Sequence, residues 1–283
     1  MKILVFSDLH LHFWSTYSTP TEIGPSRFTD QLNTLKQIVD YAKENNITNL
    51  IFLGDFFHSR KALETALVYH ASEFLNQYLM DFNIIYIAGN HDLTGSGECF
   101  SKHITDISPN HVTVEQPSTI CLGNSHIALL PWNSKELPSA DIALGHIEVK
   151  GAWFNKVAQE SKGFELEELS RKYKLVLLGH YHMHQKLGNN IIVVGSLNRL
   201  TRSDQGLEKG FIVVDLNTLE INFIPIDTFD FPFYVVKKEV KRETKRKVCQ
   251  IISFEEALKL WLENQKRPEL YELAMRYWNE AKN

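Results

Sequence analysis

Five short clusters of Asp, Asn and His punctuate this chain, each directly behind a run of apolar residues. Asp8-Leu-His10 follows Ile3 to Phe6, Gly54-Asp55-Phe-Phe-His58 follows Leu50 to Leu53, and Gly89-Asn90-His91-Asp92 follows Ile84 to Ile87. Gly145-His146 then follows Ile142 to Leu144, and Gly179-His180-Tyr-His182 follows Leu175 to Leu178. Short apolar runs bounded by Gly, Pro or polar residues read as buried strands. A lone Asp-x-His or Gly-His arises often by accident, but the ordered series of five does not. It constrains the chain to a fold that gathers strand ends around a common centre.

The intervening sequence fits such a fold. Leu32, Leu35, Ile38, Val39 and Ala42 have helical spacing, as do Ala66, Leu67, Ala71, Phe74 and Leu75, which predicts a β-α-β-α-β opening. Ile127 to Leu130 is a further strand. After Leu175 the pattern becomes strand-rich, with Ile191 to Val194, Gly210 to Asp215, Leu219 to Ile224 and Phe233 to Val240. Leu216-Asn217-Thr218 reads as a hairpin turn, and a second sheet is expected there. The segment from Phe13 to Ser26, rich in Thr, Ser, Pro and Gly, reads as a long loop behind the first cluster. No internal repeat or low-complexity tract is evident.

The 283 residues suffice for one large α/β domain with a small appendage. A formal net charge of -4 argues against a surface that coats itself in nucleic acid, yet leaves room for a local basic track. Cys99, Cys121 and Cys249 are odd in number and far apart, so neither a disulfide framework nor a zinc ribbon is indicated, and a reducing cytoplasm is expected. Ile3-Leu4-Val5-Phe6 is too short for a signal core or a membrane span, so no membrane association is expected.

Alternate residues of an extended segment face one side, so Asp8 and His10 can reach a single ion, and His180 and His182 repeat that logic. Asp55 carries two oxygens and can bridge two metals. Asn90 offers a neutral amide oxygen and His146 an imidazole nitrogen, which complete a second shell without adding charge. Two divalent ions roughly 3.5 to 4 Å apart polarise a phosphoryl oxygen and activate water for in-line attack, so phosphoester hydrolysis is the reaction this set suits. His12, His70, His103, His111, His126 and His184 match no cluster and read as ordinary histidines, with His184 the one placed to orient a ligand ring.

On these motifs the chain resembles the calcineurin-like metallophosphoesterases, and among them the SbcD-type nucleases that process DNA ends in recombination and repair. The pointer to the nuclease branch is His58 in Gly54-Asp55-Phe56-Phe57-His58, where phosphatases and cyclic-nucleotide phosphodiesterases continue differently. Val194-Gly195-Ser196-Leu197-Asn198-Arg199, Glu208-Lys209-Gly210-Phe211 and Gly145-His146-Ile147-Glu148-Val149-Lys150-Gly151-Ala152 are similar to that branch too, so the resemblance spans about residues 1 to 225. It implies a four-layer α/β/β/α sandwich with a short C-terminal helical tail. It further implies one ion on Asp8, His10, Asp55 and His182 and another on Asp55, Asn90, His146 and His180, with manganese preferred and magnesium or other metals accepted. By the same resemblance His91 is the general acid that protonates the leaving 3′ oxygen, Asp92 holds its tautomer, and His58 contacts the scissile phosphate or the adjoining nucleotide.

The expected organisation is a phosphoesterase domain over 1–228, a basic strand or linker over 229–250 in place of a full capping domain, and a helical segment over 251–283. Lys237, Lys238, Lys241, Arg242, Lys245, Arg246 and Lys247 form a dense basic run that reads equally as a DNA phosphate track or as a solvated strand and loop, and Arg199 is a further candidate DNA contact. Ser253 to Asn264 and Pro268 to Lys282 have the spacing of two amphipathic helices, with Ser253 and Glu256 as a capping box and Pro268 starting the second. Phe254, Leu258, Trp261, Leu262, Leu270, Leu273, Tyr277 and Trp278 give them apolar faces, which either pack on the core or dock on a partner. The resemblance implies DNA as substrate, an SbcC-like ATPase as that partner and a homodimer as one assembly. The economy of the tail, with an Asn- and Lys-rich composition, suits a phage-encoded member working in a host cytoplasm. The rivals are a small-molecule or cyclic-nucleotide phosphodiesterase with the same dinuclear site, and a non-catalytic binding scaffold.

Overall fold

The structure is a computed structural model of the full chain, and the described residues are 1–232, 258–259, 262–263 and 268–280. The first half runs β1 (Lys2–Phe6), β2 (Pro20–Thr21), β3 (Gly24–Pro25), α1 (Ser26–Glu44), β4 (Asn49–Phe52), α2 (Thr65–Tyr78), β5 (Asn83–Ile87), α3 (Lys102–Thr105), β6 (His111–Val114) and β7 (Ser118–Leu122). The second continues β8 (Ser125–Leu130), β9 (Ile142–Gly145), α4 (Leu166–Lys172), β10 (Leu175–Leu178), β11 (Gln185–Leu187), β12 (Ile191–Val193), β13 (Gly210–Asp215) and β14 (Glu220–Pro225).

Strand alternation builds the layers. Ile3 and Val5 of β1 point to the same interior as Ile51, Ile87, Ile127, Leu129, Ile142, Leu144, Leu175 and Leu177, so that interior lies between two sheets. Leu4 and Phe6 point the other way and pack with Leu35, Ile38 and Val39 of α1 and Leu67, Ala71 and Leu75 of α2. On the second sheet Ala128, Leu130, Ala143, Val176 and Leu178 turn outward onto Leu169 of α4 and Tyr173. The result is the expected α/β/β/α sandwich. Each strand of the inner pairs is apolar on both faces because both faces are covered, which is why the runs look continuous in sequence.

The first sheet has the order β14-β13-β1-β4-β5-β6 and the second β11-β12-β10-β9-β8-β7. This corrects one expectation. The strands after Leu175 do not form the second sheet together: β10, β11 and β12 belong to it, whereas the β13–β14 hairpin adds antiparallel to β1 and widens the first. The turn between them covers Leu216-Asn217-Thr218 as expected, plus Leu219 at φ 59°. Three edge strands went unread, β6, β7 and β11, which are short and bury few apolar side chains. The loop after β1 contains one small hairpin, β2 with β3.

By internal contacts the chain divides into Met1–Phe229 and Asp230–Asn283. In the second unit Pro268–Leu270 is a 3-10 turn leading into the helix Tyr271–Glu280. The expected strand Phe233 to Val240, the basic run Lys237 to Lys247, the Ser253 and Glu256 capping box and Trp261 lie outside the described residues, as do the side chains of Tyr277 and Trp278. Among the described residues no helix is long and apolar enough to cross a membrane, and Cys99 and Cys121 are free thiols.

Candidate metal centre

Parallel strands β1, β4 and β5 of one sheet and β9 and β10 of the other all end at the same edge of the sandwich, and each of the five clusters lies just beyond its strand. The first two clusters are braced against each other. Asp8 N–H donates to Gly54 O, His10 N–H to Asp55 O and Leu11 N–H to Phe56 O, so backbone pairing continues past the formal ends of β1 and β4. Asp8 (φ 51°), His10 (φ 47°), Asp55 (φ 64°) and His180 (φ 77°) adopt the left-handed region that L-residues avoid. Four such residues in one site are a store of strain that the surrounding sheets must hold, a common mark of functional geometry. Gly54 is required for close approach, since a Cβ there would lie 2.6 Å from His146 Nδ1 and 2.7 Å from Gly89 N.

Each central carboxylate has one oxygen tethered and one free. Asp8 Oδ2 accepts from His180 N–H at 3.0 Å and from the Ser7 hydroxyl, while Oδ1 has no hydrogen-bond partner and lies 3.8 Å from His10 Nε2 and 3.9 Å from His182 Nε2. Asp55 Oδ1 accepts from His91 N–H at 2.6 Å, and Oδ2 stands between two imidazoles, 3.4 Å from His10 Nε2 and 3.5 Å from His146 Nε2. Asn90 Oδ1 completes the other side, 3.0 Å from His146 Nε2 and 3.0 Å from His180 Nδ1. His146 Nδ1 faces the Leu53 carbonyl, which fixes its proton there and leaves Nε2 as the lone pair turned inward.

Protonation states follow from burial. Burial pushes His10 and His180 down to about 3 and His58 to about 4, and lowers His91 and His182 as well. Neutral imidazoles are the metal-binding form. Burial raises Asp55 well above the usual carboxylate range, with the charges of Asp8 and Asp92 adding to it. At Asp8 burial acts in the same direction, but the imidazoles of His10, His146 and His182 outweigh it and hold the carboxyl below its ordinary value. Buried carboxylates crowded among neutral donors, with Asp8 Oδ1 and both His10 nitrogens without a hydrogen-bond partner, are a donor set suited to a cation.

A divalent ion fits here. Donors about 2.1 Å from one ion stand roughly 3.0 to 3.4 Å apart, close to the separations of 3.0 to 3.9 Å above. Asp8 with His10 and His182, and Asp8 with Asp55 and His146, each converge within 4.8 Å. The seven residues expected as ligands are thus brought together, with Asp55 Oδ2 between His10 Nε2 and His146 Nε2.

The other expected residues divide. His91 and His58 flank the centre, their rings stacked at 5.4 Å, and His91 lies 4.7 Å from the His10 ring. Asp92 does not hold the His91 tautomer, because both of its oxygens are spent on backbone: Oδ2 accepts from Asp55 N–H at 2.7 Å and Gly89 N–H at 2.8 Å, and Oδ1 from Phe56 N–H at 3.0 Å. The His58 carbonyl faces His91 Nδ1 instead. Arg199 Nη1 donates to the carbonyls of Thr228 and Phe229, so this group of the guanidinium is committed to the chain. His184 bonds the Val194 carbonyl and stacks on Phe223 at 4.2 Å, with no ligand ring on it.

Sequence reasoning passed over two groups. His12 and Trp14 lie against His58 at 5.3 and 4.5 Å, which only the path of the loop after β1 brings about. Lys209 is buried, and its ammonium donates to the His182 carbonyl and Ser196 Oγ, both at 2.8 Å, and to Asp204 Oδ1 at 3.1 Å. That contact gives physical content to the Ser196 and Lys209 motifs: they hold the strand end bearing His182.

Residues 1–184 match the family model described as calcineurin-like phosphoesterase. Exonuclease subunit 1 of Enterobacteria phage T4 is 32% identical over 248 residues, which is 81% of this chain and 68% of that protein. Among solved structures, a novel archaeal phosphodiesterase aligns over 80% of this chain and 100% of its own at 15% identity and a TM-score of 0.42. The Pseudomonas putida nuclease MPE aligns over 78% and 87% at 15% identity and a TM-score of 0.39.

Proposed function

The chain belongs to the calcineurin-like phosphoesterase family, and from that premise we propose that it is a two-metal-dependent DNA nuclease, the nuclease subunit of an SbcC/SbcD-like complex. The observation that carries the dinuclear reading is the place of Asp55 Oδ2, 3.4 Å from His10 Nε2 and 3.5 Å from His146 Nε2, where one oxygen serves two donor groups. Asp8, His10, Asp55 and His182 would hold one ion and Asp55, Asn90, His146 and His180 the other, with manganese the metal proposed. When bound, the ions supply positive charge to the phosphoryl oxygens and acidify a water.

The chain's own residues do the rest. With Nδ1–H donated to the His58 carbonyl, His91 presents Nε2 to the substrate; Nε2 takes a proton from solvent as the phosphodiester anion binds and passes it to the departing 3′ oxygen. Burial holds the ring neutral in the free protein, and the phosphodiester anion raises its proton affinity on binding. His58, stacked beside it against Trp14, contacts the phosphate or the adjoining nucleotide. Asp92 positions the backbone of Asp55, Phe56 and Gly89 rather than a proton.

The name of the phage T4 relative, a subunit of an exonuclease, supports both DNA as substrate and a partner protein. The C-terminal segment 251–283, which includes the helix Tyr271–Glu280, is proposed to dock on an ATPase, and Lys237 to Lys247 is the run proposed to follow DNA phosphates. End-labelled single- and double-stranded DNA with manganese, assayed beside bis-p-nitrophenyl phosphate and cyclic nucleotides, tests the reading. Cleavage of DNA upholds it. Cleavage of the small diesters alone makes the protein a small-molecule phosphodiesterase, and no manganese-dependent cleavage of any removes the catalytic reading.

A further inference from the structure

A phosphodiester at the centre carries a nucleoside on one side and a leaving group on the other. Beside the centre lies a cavity of about 270 Å3, lined by Trp132, Asn133, Lys135, Ile147, Glu148 and Phe164 among others. Its walls grow from the segments that deliver two of the candidate ligands. Trp132 N–H donates at 2.8 Å to the carbonyl of Ala88, just before Gly89-Asn90, and Ile147 and Glu148 directly follow His146. The Trp132 ring lies 5.0 Å from the His180 ring and 6.1 Å from that of His146, while the Glu148 carboxylate is within 4.8 Å of a His180 nitrogen.

The tryptophan is set in advance. Asn133 turns the chain at φ 69°, and Ser134 closes the turn with its N–H at 3.1 Å and its hydroxyl at 2.6 Å from the Pro131 carbonyl. A half-buried indole fixed between a metal centre and a cavity leaves ring surface for something flat. The remaining lining narrows the choice. An amide, an ammonium and a carboxylate beside aromatic walls are wasted on an acyl chain, and Glu148 repels a second phosphate. A nucleobase uses all of them, with a π face for the indole and donors and acceptors along its edge.

The geometry points to this cavity as the nucleobase subsite for the nucleotide whose phosphate reaches the candidate metal centre. Trp132 is the stacking platform, and Asn133 and Lys135 meet the base edge. The inference rests on the phosphodiesterase reading of that centre.

Two chromogenic diesters with the same leaving group separate the two ideas: thymidine 5′-(p-nitrophenyl phosphate), which has a base, and methyl p-nitrophenyl phosphate, which has none. The readout is the ratio of their kcat/KM values in the manganese-loaded full chain. Wild type should favour the thymidine compound, Trp132→Ala should lower the ratio roughly 5- to 150-fold, and Trp132→Phe should retain most of it. Lys135→Ala, at an exposed position where the fold is not at risk, should lower it by a smaller factor. Calorimetry of thymidine 5′-monophosphate and of inorganic phosphate should show that Trp132→Ala weakens the former and not the latter. A ratio near one in wild type, or one unchanged in both Trp132→Ala and Lys135→Ala, overturns the subsite while the phosphodiesterase reading stands. Hydrolysis of neither compound overturns both.

Discussion

Lys209→Met tests how the candidate centre is held from behind. The ammonium serves the His182 carbonyl, Ser196 Oγ and Asp204 Oδ1, and the two side chains of the ion pair are 1% and 6% exposed, so water cannot replace it. Burial lowers Lys209 from its ordinary value, but three acceptors around one nitrogen are satisfied only by an ammonium, so the pair is charged. Met fills the space and leaves the Asp204 carboxylate without a counter-charge and the His182 carbonyl without that donor. Breaking a buried pair from one side costs about 3 to 5 kcal/mol. At roughly 2 to 4 °C per kcal/mol for a unit of this size, the variant should melt about 6 to 20 °C below wild type at pH 7 by far-UV circular dichroism. Lys209→Met with Asp204→Leu removes the stranded charge too and should recover more than half of the loss. Burial pushes Asp204 up, but Lys209 and the Thr201 N–H outweigh it and hold the carboxyl below 3.8. Its stabilisation is therefore whole above the unfolded value of 3.8 and lost as pH falls through the folded one, so the gap between wild type and Lys209→Met should close in acid. A single variant within about 2 °C of wild type at pH 7, or a double variant less stable than the single, would refute this account.

Asp55→Asn should leave the circular dichroism spectrum intact but weaken both manganese sites by calorimetry, since an amide lacks the charge of a bridging carboxylate; near-full DNA cleavage at limiting manganese would contradict it. His91→Ala should cut DNA cleavage by ~10² to 10⁴ at unchanged manganese stoichiometry while sparing bis-p-nitrophenyl phosphate, whose leaving group needs no proton. Equal losses on the two substrates would take the acid role from His91. Asp92→Asn turns one of two acceptor oxygens into a donor aimed at buried N–H groups and should cost about 2 to 4 kcal/mol in thermal unfolding. If it instead slows only DNA cleavage with no loss of stability, Asp92 acts on His91 after all. Deleting residues 250–283 should preserve cleavage of small diesters and abolish co-purification with an SbcC-like ATPase; an unfolded truncated chain would make those residues part of the core.

What the sequence reveals and hides follows from reach. Strands buried on both faces announce themselves as apolar runs, and the ligand clusters sit one or two residues beyond, so β1, β4, β5, β9 and β10 and their seven candidate ligands were legible together. The partition of later strands was not. Nothing within Gly210 to Pro225 states that the hairpin lies beside β1 rather than β12, because that choice is made by Ile212 and Val214 packing with Ile3 and Val5 from the far end of the chain. Edge strands β6 and β7 carry too little apolar alternation to be read. Asp92 was misread for a related reason: its neighbour in sequence is His91, but its partners are the N–H groups of Asp55 and Phe56, 37 and 36 residues away. Lys209 stood in the sequence only as part of a motif without a role, because its partners, the His182 carbonyl and Ser196, lie 27 and 13 residues away.

Strand β1 has β4 on one side and β13 on the other, with Lys2 opposite Asp215 and Val5 opposite Ile212. A ribosome makes its second neighbour, β13, some two hundred residues after β1 itself. Until β13 emerges, one flank of the strand that carries Asp8 and His10 is open, and Lys209, directly ahead of β13, has not reached the His182 carbonyl. Pairings this distant in sequence also form slowly, because the intervening loop must close first. The flank of β1 and the backbone of His182 are therefore braced only once β13 and Lys209 have been added, so the two halves of the candidate centre depend on a late segment of the domain.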